Sequence, residues 1–164
     1  MSELPPWLPA IISVNGEWED VLRRLYHVFA SDFKRSGCMF QERPVWWDRR
    51  VLPGERYEEG FWHLITRDDS RTTQRLFDPR RAERLPWCAP TLRNCQDIRV
   101  RVWDYEEGGG SIRTYVWLQN WDYVIVLEKK RMRVGEIAFL VTAYHVDGES
   151  QKRSLRRRYE KRVA

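Results

Sequence analysis

Between Trp18 and Phe33 the apolar residues Trp18, Val21, Leu22, Leu25, Phe29 and Phe33 fall three, one, three, four and four positions apart. That spacing predicts one buried stripe on an α-helix. Lys34, Arg35 and Gly37 follow, closing the helix with positive charge near its negative end and a glycine beyond. From Ile98 the period changes to two. Ile98, Val100 and Val102 alternate with Arg99, Arg101 and Trp103, then Glu106-Glu107-Gly108-Gly109-Gly110 makes a turn. Ile112, Thr114, Val116 and Leu118 return against Arg113, Tyr115 and Trp117, which predicts a hairpin with one apolar and one Arg/aromatic face. Asp122 to Glu128 and Glu136 to Tyr144 are apolar on both faces, as expected of central strands. Residues 150–162 read as a helix anchored by Leu155 and Tyr159, with arginines around the rest. The predicted class is α+β: N-terminal helices, then a four-stranded antiparallel sheet, then a basic C-terminal helix.

The ground between these elements is less regular. In Cys38 to Tyr57, Pro44 and Pro53 flank Val45-Trp46-Trp47, which fits a short strand or a loop pinned by aromatics. Glu58 to Arg67 sets His63 inside an apolar stretch, ahead of a polar loop reaching Thr73. Asp78 and Pro79 predict a helix start, capped by Asp with Pro in the first turn, and place Arg81 and Arg84 on one face.

Composition narrows the class further. A chain of 164 residues, 42% hydrophobic with nine Trp, has the length and apolar content of one ordinary folding domain. No apolar run approaches the roughly 20 residues of a spanning helix. Met1 to Trp7 lacks the basic-then-apolar order of a secretory signal, so a cytoplasmic protein away from membranes is expected. Cys38, Cys88 and Cys95 are odd in number and stand outside any metal-ligand spacing; three reduced thiols are expected and no metal site. Residues 151–164 hold seven Lys or Arg against one Glu, which is +6, so the other 150 residues carry −1 of the net +5. A basic tail of that kind suits an anionic partner such as RNA, or simply a solvated helical face.

The chain lacks GxxxxGK[ST], GxGxxG, HExxH and GxSxG, so nucleotide hydrolysis, dinucleotide redox, zinc proteolysis and elbow-serine hydrolysis have no positive support. What remains are three histidines (His27, His63, His145), many arginines, and hydroxyls at the end of the last strand. FWHLIT (61–66), FDPRRAERLPW (77–87), WDYVIVL (121–127) and FLVTAY (139–144) resemble, in this order, phage- and toxin-associated families of the barnase–EndoU–colicin–RelE group. The resemblance spans roughly residues 57–146, with 1–56 as a helical and irregular lead and 147–164 as the basic tail. It implies a four-stranded antiparallel sheet after helices, and a cofactor-free, metal-independent endoribonuclease acting on RNA. An immunity or antitoxin protein would be its partner.

Carried over position by position, His63 matches the histidine of the first motif, and Arg81 and Arg84 its arginine-bearing helix. Thr142 and Tyr144 match the hydroxyl pair of the final strand; Asp122 and Tyr123 match the central-strand opening. Attack of a 2′-hydroxyl on the adjacent phosphate needs a base, an acid and a stabiliser of the charge that develops. His63, ordinarily titrating near 6.5, can be base or acid. Arg81 and Arg84 supply fixed guanidinium forks for the phosphate. Thr142 and Tyr144 share a strand face by the period of two. Arg67, Lys129, Lys130, Asp122 and Tyr123 are expected to bind substrate. Bland rivals stand beside each role: His63 as a half-buried core histidine, the arginines as a solvated face, and Trp103, Tyr115 and Trp117 as core under a helix instead of base-stacking platforms. At the level of function the rivals are a catalytically inactive RNA-binding module and a structural or interaction protein of a phage or defence system.

Overall fold

The computed structural model describes residues 3–72 and 74–163. Thr73, where the expected polar loop ends, lies outside the described residues, as do Met1 and Ser2 of the stretch read for a secretory signal, and Ala164. The predicted first helix divides in two. Trp18–Phe29 is α1, with Val21, Leu22, Leu25 and Phe29 buried. A π-helical segment, Ala30–Arg35, continues it and turns Phe33 into the same core. The chain then leaves through Gly37, whose φ of +70° lies in the left-handed region that glycine enters without strain.

The stretch before Tyr57 holds two short strands, Met39–Phe40 (β1) and Arg43–Trp46 (β2), paired antiparallel around Gln41 and Glu42. Next come a single helical turn, Glu59–Trp62 (α2), and a small hairpin of Thr66–Asp68 (β3) with Arg75–Phe77 (β4). Pro79–Glu83 (α3) starts as predicted, with the Asp78 carboxylate accepting the Arg81 backbone N–H. Cys88–Arg93 (α4) follows a turn of 3-10 helix. Val100–Glu106 (β5), Ile112–Leu118 (β6), Tyr123–Met132 (β7) and Gly135–His145 (β8) then form a meander, and Gly148–Glu160 (α5) ends it.

The class is α+β, but the sheet is not a four-stranded antiparallel one. It has six strands in the order β1-β2-β8-β7-β6-β5, and β2 runs parallel to β8 through Val45 opposite Ala138 and Trp46 opposite Phe139. Strands of two and four residues, one containing Pro44, are too short to display a period of two, so the sequence left Val45-Trp46-Trp47 open between a short strand and a loop, and the structure makes Val45 and Trp46 part of β2. Ile98 also departs from the alternation. Asp97 accepts the backbone N–H and the guanidinium of Arg99. That turn delays the strand to Val100 and leaves Ile98 98% exposed.

The sheet carries a core on each face. On one, Val100, Val116, Leu118, Ile125, Leu127 and Leu140 pack against α1, α4 and the aromatics Phe29, Phe40 and Phe61. On the other, Trp103, Tyr115, Trp117, Val124 and Val126 pack under Leu155 and Tyr159 of α5. Trp103, Tyr115 and Trp117 are at most 5% exposed, so they are core and not platforms for bases. Helix α5 is pinned at its far end as well, where the Val163 N–H donates to the Asp104 carbonyl at 2.8 Å. Among the described residues no helix is long and apolar enough to cross a membrane.

Candidate active site

Strand β2 pairs with only two residues of β8, Ala138 and Phe139, which leaves the stretch from Leu140 to His145 without a strand on that side. An open strand edge needs cover, and here α2 and α3 supply it. Within that stretch β8 bulges. Val126 pairs with Thr142 but Leu127 pairs with Leu140, so Val141 is the extra residue. A bulge re-aims the side chains next to it; Val141, Thr142 and Tyr144 all line the same hollow.

Three groups close on one another at this edge. The Thr142 hydroxyl donates to the His63 carbonyl at 3.0 Å, and Arg81 Nη1 donates to that carbonyl and to Thr142 Oγ1, each at 3.1 Å. Asp78, the cap of α3, sets the root of the arginine: its Oδ1 accepts the Arg81 N–H at 3.2 Å and its Oδ2 lies 3.9 Å from Nε. The guanidinium also stands 5.7 Å over the Tyr144 ring. Arg81 is thus locked by packing, a cap and two hydrogen bonds, which is the preorganisation that a charge-stabilising donor needs.

Two adjoining hollows of about 370 and 470 Å³ open around this arginine and share Arg67, Arg81 and Tyr144 as a common wall. The first adds His63, Thr66, Asp68 and Thr142. The second adds Arg80, His145, Asp147 and Gln151. Burial pushes the His63 imidazole below its ordinary value and Arg75 adds to the shift, while Glu59, Asp48 and Asp68 oppose it. Burial raises the Tyr144 phenol above its ordinary value, against the pull of Arg158 and Arg81. At neutral pH this cleft therefore presents a neutral imidazole, a protonated phenol and fixed guanidinium charge. Among the described residues no three His, Cys, Asp or Glu side chains are grouped to hold a metal ion.

Five of the expected residues, His63, Arg67, Arg81, Thr142 and Tyr144, meet in the cleft; the other five do not. Arg84 is a correction: α3 stops at Glu83, so Arg84 leaves the face of Arg81, donates to Glu83 at 2.7 Å and stands over Trp87. Tyr123 is 1% exposed and packs edge-on against Trp87, out of reach of any substrate. Asp122 sits in a left-handed turn after a 3-10 segment and pairs with Lys152 at 3.5 Å. Lys129 faces Asp104 at 3.7 Å and Lys130 lies over the Phe139 ring, both beyond the cleft along β7.

A second tier lies outside the ten expected residues. Glu59, buried in α2, receives both terminal nitrogens of Arg75, at 2.6 and 3.0 Å. This pair sets the field around His63, and its one sequence signal is Glu59 four residues before the histidine. Arg80 and His145 flank expected residues by one position. His145 Nδ1 is buried without a hydrogen-bond partner among the described residues, and burial, Arg84 and Arg80 together lower its titration. Compared with protein-family models, curated proteins and solved structures, the chain matches none.

Proposed function

We propose that this cleft binds a phosphodiester of RNA and cleaves it by attack of the 2′-hydroxyl on the adjacent phosphate. The observation that carries the reading is the convergence of His63, Arg67, Arg81, Thr142 and Tyr144 on one cleft from α2, the β3–β4 hairpin, α3 and β8. The lowered imidazole suits His63 as the base that takes the 2′-hydroxyl proton, and the raised phenol suits Tyr144 as the donor to the leaving 5′-oxygen. Arg81 and Arg67 stabilise the charge that builds on the phosphorane oxygens. These side chains fill every role without a cofactor or metal. The likeness of the motifs to the barnase–EndoU–colicin–RelE group supports the same endoribonuclease reading. With it come a toxin-like or phage-associated setting in the cytoplasm and an immunity or antitoxin partner.

The test is a gel assay of purified protein on labelled single-stranded and structured RNA in excess EDTA, with His63→Ala alongside. Cleavage that persists in EDTA and vanishes in the variant supports the proposal; folded wild-type protein that cuts no RNA overturns it. One observation favours a second reading, an RNA-binding module without catalysis: the Thr142 hydroxyl and one arm of Arg81 are already spent on the His63 carbonyl. In that case His63→Ala leaves RNA affinity intact and wild-type protein binds without cutting.

A further inference from the structure

Helix α5 begins at the cleft, where Gln151 lines the second hollow, and ends against β5, where Val163 bonds to Asp104. Its apolar side is consumed: Leu155 is 2% exposed and Tyr159 packs on Trp103. Opposite Leu155, Arg153, Arg156, Arg157 and Lys161 stand three, one and four positions apart, which puts them on one outward stripe. All four are exposed, and none has an ion pair or hydrogen bond from its side chain among the described residues. The acids sharing this side are Glu149, which is paired with Lys152 at 3.8 Å, and Glu160. At the far end Arg101 of β5 and Arg162 both stand over the Tyr159 ring, at 4.5 and 4.3 Å, and carry the positive surface on.

We propose that this stripe is a track for the RNA strand leaving the cleft, holding the phosphates that follow the one being cut. The inference rests on the RNA reading of the cleft. The helix is about 20 Å long at 1.5 Å per residue, against about 3.4 Å per phosphate in a stacked strand, so it spans several consecutive phosphates with four cations free to meet them. A membrane surface is the poorer occupant because an interfacial helix must insert its apolar side, and that side is buried here. An acidic protein is poorer too, since the stripe offers no aromatic or aliphatic anchor of the kind that centres a protein interface. A flexible polyanion needs only the charges.

The test compares full-length wild type with a variant carrying Arg153→Gln, Arg156→Gln, Arg157→Gln and Lys161→Gln, all outside the cleft. Fluorescence anisotropy with a labelled 20-nucleotide single strand is followed across salt concentrations, and cleavage is timed on that strand and on a dinucleotide. The expected result is a salt slope smaller by about 3, from four lost contacts at roughly 0.7 each. KM for the long strand rises by on the order of tenfold at low salt, with kcat and dinucleotide cleavage unchanged. An unchanged slope and affinity overturn the track, as does equal loss on both substrates. If wild type binds with a stripe-dependent slope but cuts nothing, the track stands and the catalytic reading falls. Stripe-dependent binding to vesicles of anionic lipid, with RNA affinity unaffected, overturns it in favour of a membrane.

Discussion

Arg81 and Thr142, 61 residues apart in sequence, are joined by a 3.1 Å hydrogen bond that ties α3 to the bulged end of β8. The two share the His63 carbonyl as an acceptor, so the bond fixes the cleft and the backbone that carries the histidine together. Arg81→Lys keeps the charge but cannot reach the carbonyl and the hydroxyl while presenting a second arm to substrate. We expect kcat to fall by about 10²-fold or more, beside a stability loss of about 1 kcal/mol for the hydrogen bond given up. Thr142→Val should also cost about 1 kcal/mol of stability, read from urea unfolding, because it removes one of the two donors to that carbonyl.

The pH profile follows from the lowered His63. As a base it must be neutral, so the acid limb of kcat/KM should lie below pH 6.5, with no alkaline limb from Tyr144 below pH 10. Arg75→Gln removes a positive neighbour and frees the Glu59 carboxylate, which moves the limb to higher pH; Asp68→Asn removes a negative neighbour and moves it lower. NMR titration of the imidazole should track both. Stability has its own sign: below pH 6.5 the unfolded chain takes up the proton first, so His63 makes the fold less stable as pH falls toward its folded value.

Gly60 lies against Trp47, and a Cβ there would sit 2.7 Å from the Trp47 Cβ and 2.8 Å from its Cδ1. Gly60→Ala should therefore destabilise the fold by about 1–3 kcal/mol, measured by denaturant unfolding. The clash presses on α2, so RNA cleavage should fall more steeply with temperature than in wild type.

Leu155 is the buried anchor of α5 over Trp103, Tyr115 and Trp117. Leu155→Ala should cost about 2–5 kcal/mol, with tryptophan emission shifting to the red as the helix loosens from that face.

The long elements were legible because burial wrote a period into them. The stripe of α1 from Val21 on is the set that packs on the first core, and the two predicted faces of the 100–118 hairpin meet like with like, Val102 opposite Val116 and Trp103 opposite Tyr115. The parallel β2–β8 contact was invisible, since parallel pairing of four residues leaves no local mark. Arg84 misled because the helical spacing that joins it to Arg81 assumes a helix that continues, whereas Arg84 has a φ of −96° and a ψ of 6°. Tyr123 misled because a central-strand tyrosine and a substrate-facing one read alike until the opposite side of the strand is known. The Glu59–Arg75 pair bridges 16 residues across a hairpin whose strands are three residues each, and pairing of that kind is a tertiary fact.

Strand β8 is the last strand of the sheet in the chain and the one that joins β2 to β7. It also carries Val141, Thr142 and Tyr144 of the wall in which Arg81 is held. During synthesis, helices and strands up to β7 emerge first, with β7 an apolar edge awaiting its neighbour. The cleft is incomplete in that interval, because Val141, Thr142 and Tyr144 all come from β8. A ribosome making this protein therefore carries a chain without the cleft until β8 has been translated, and a stop before that point leaves β7 as an exposed edge.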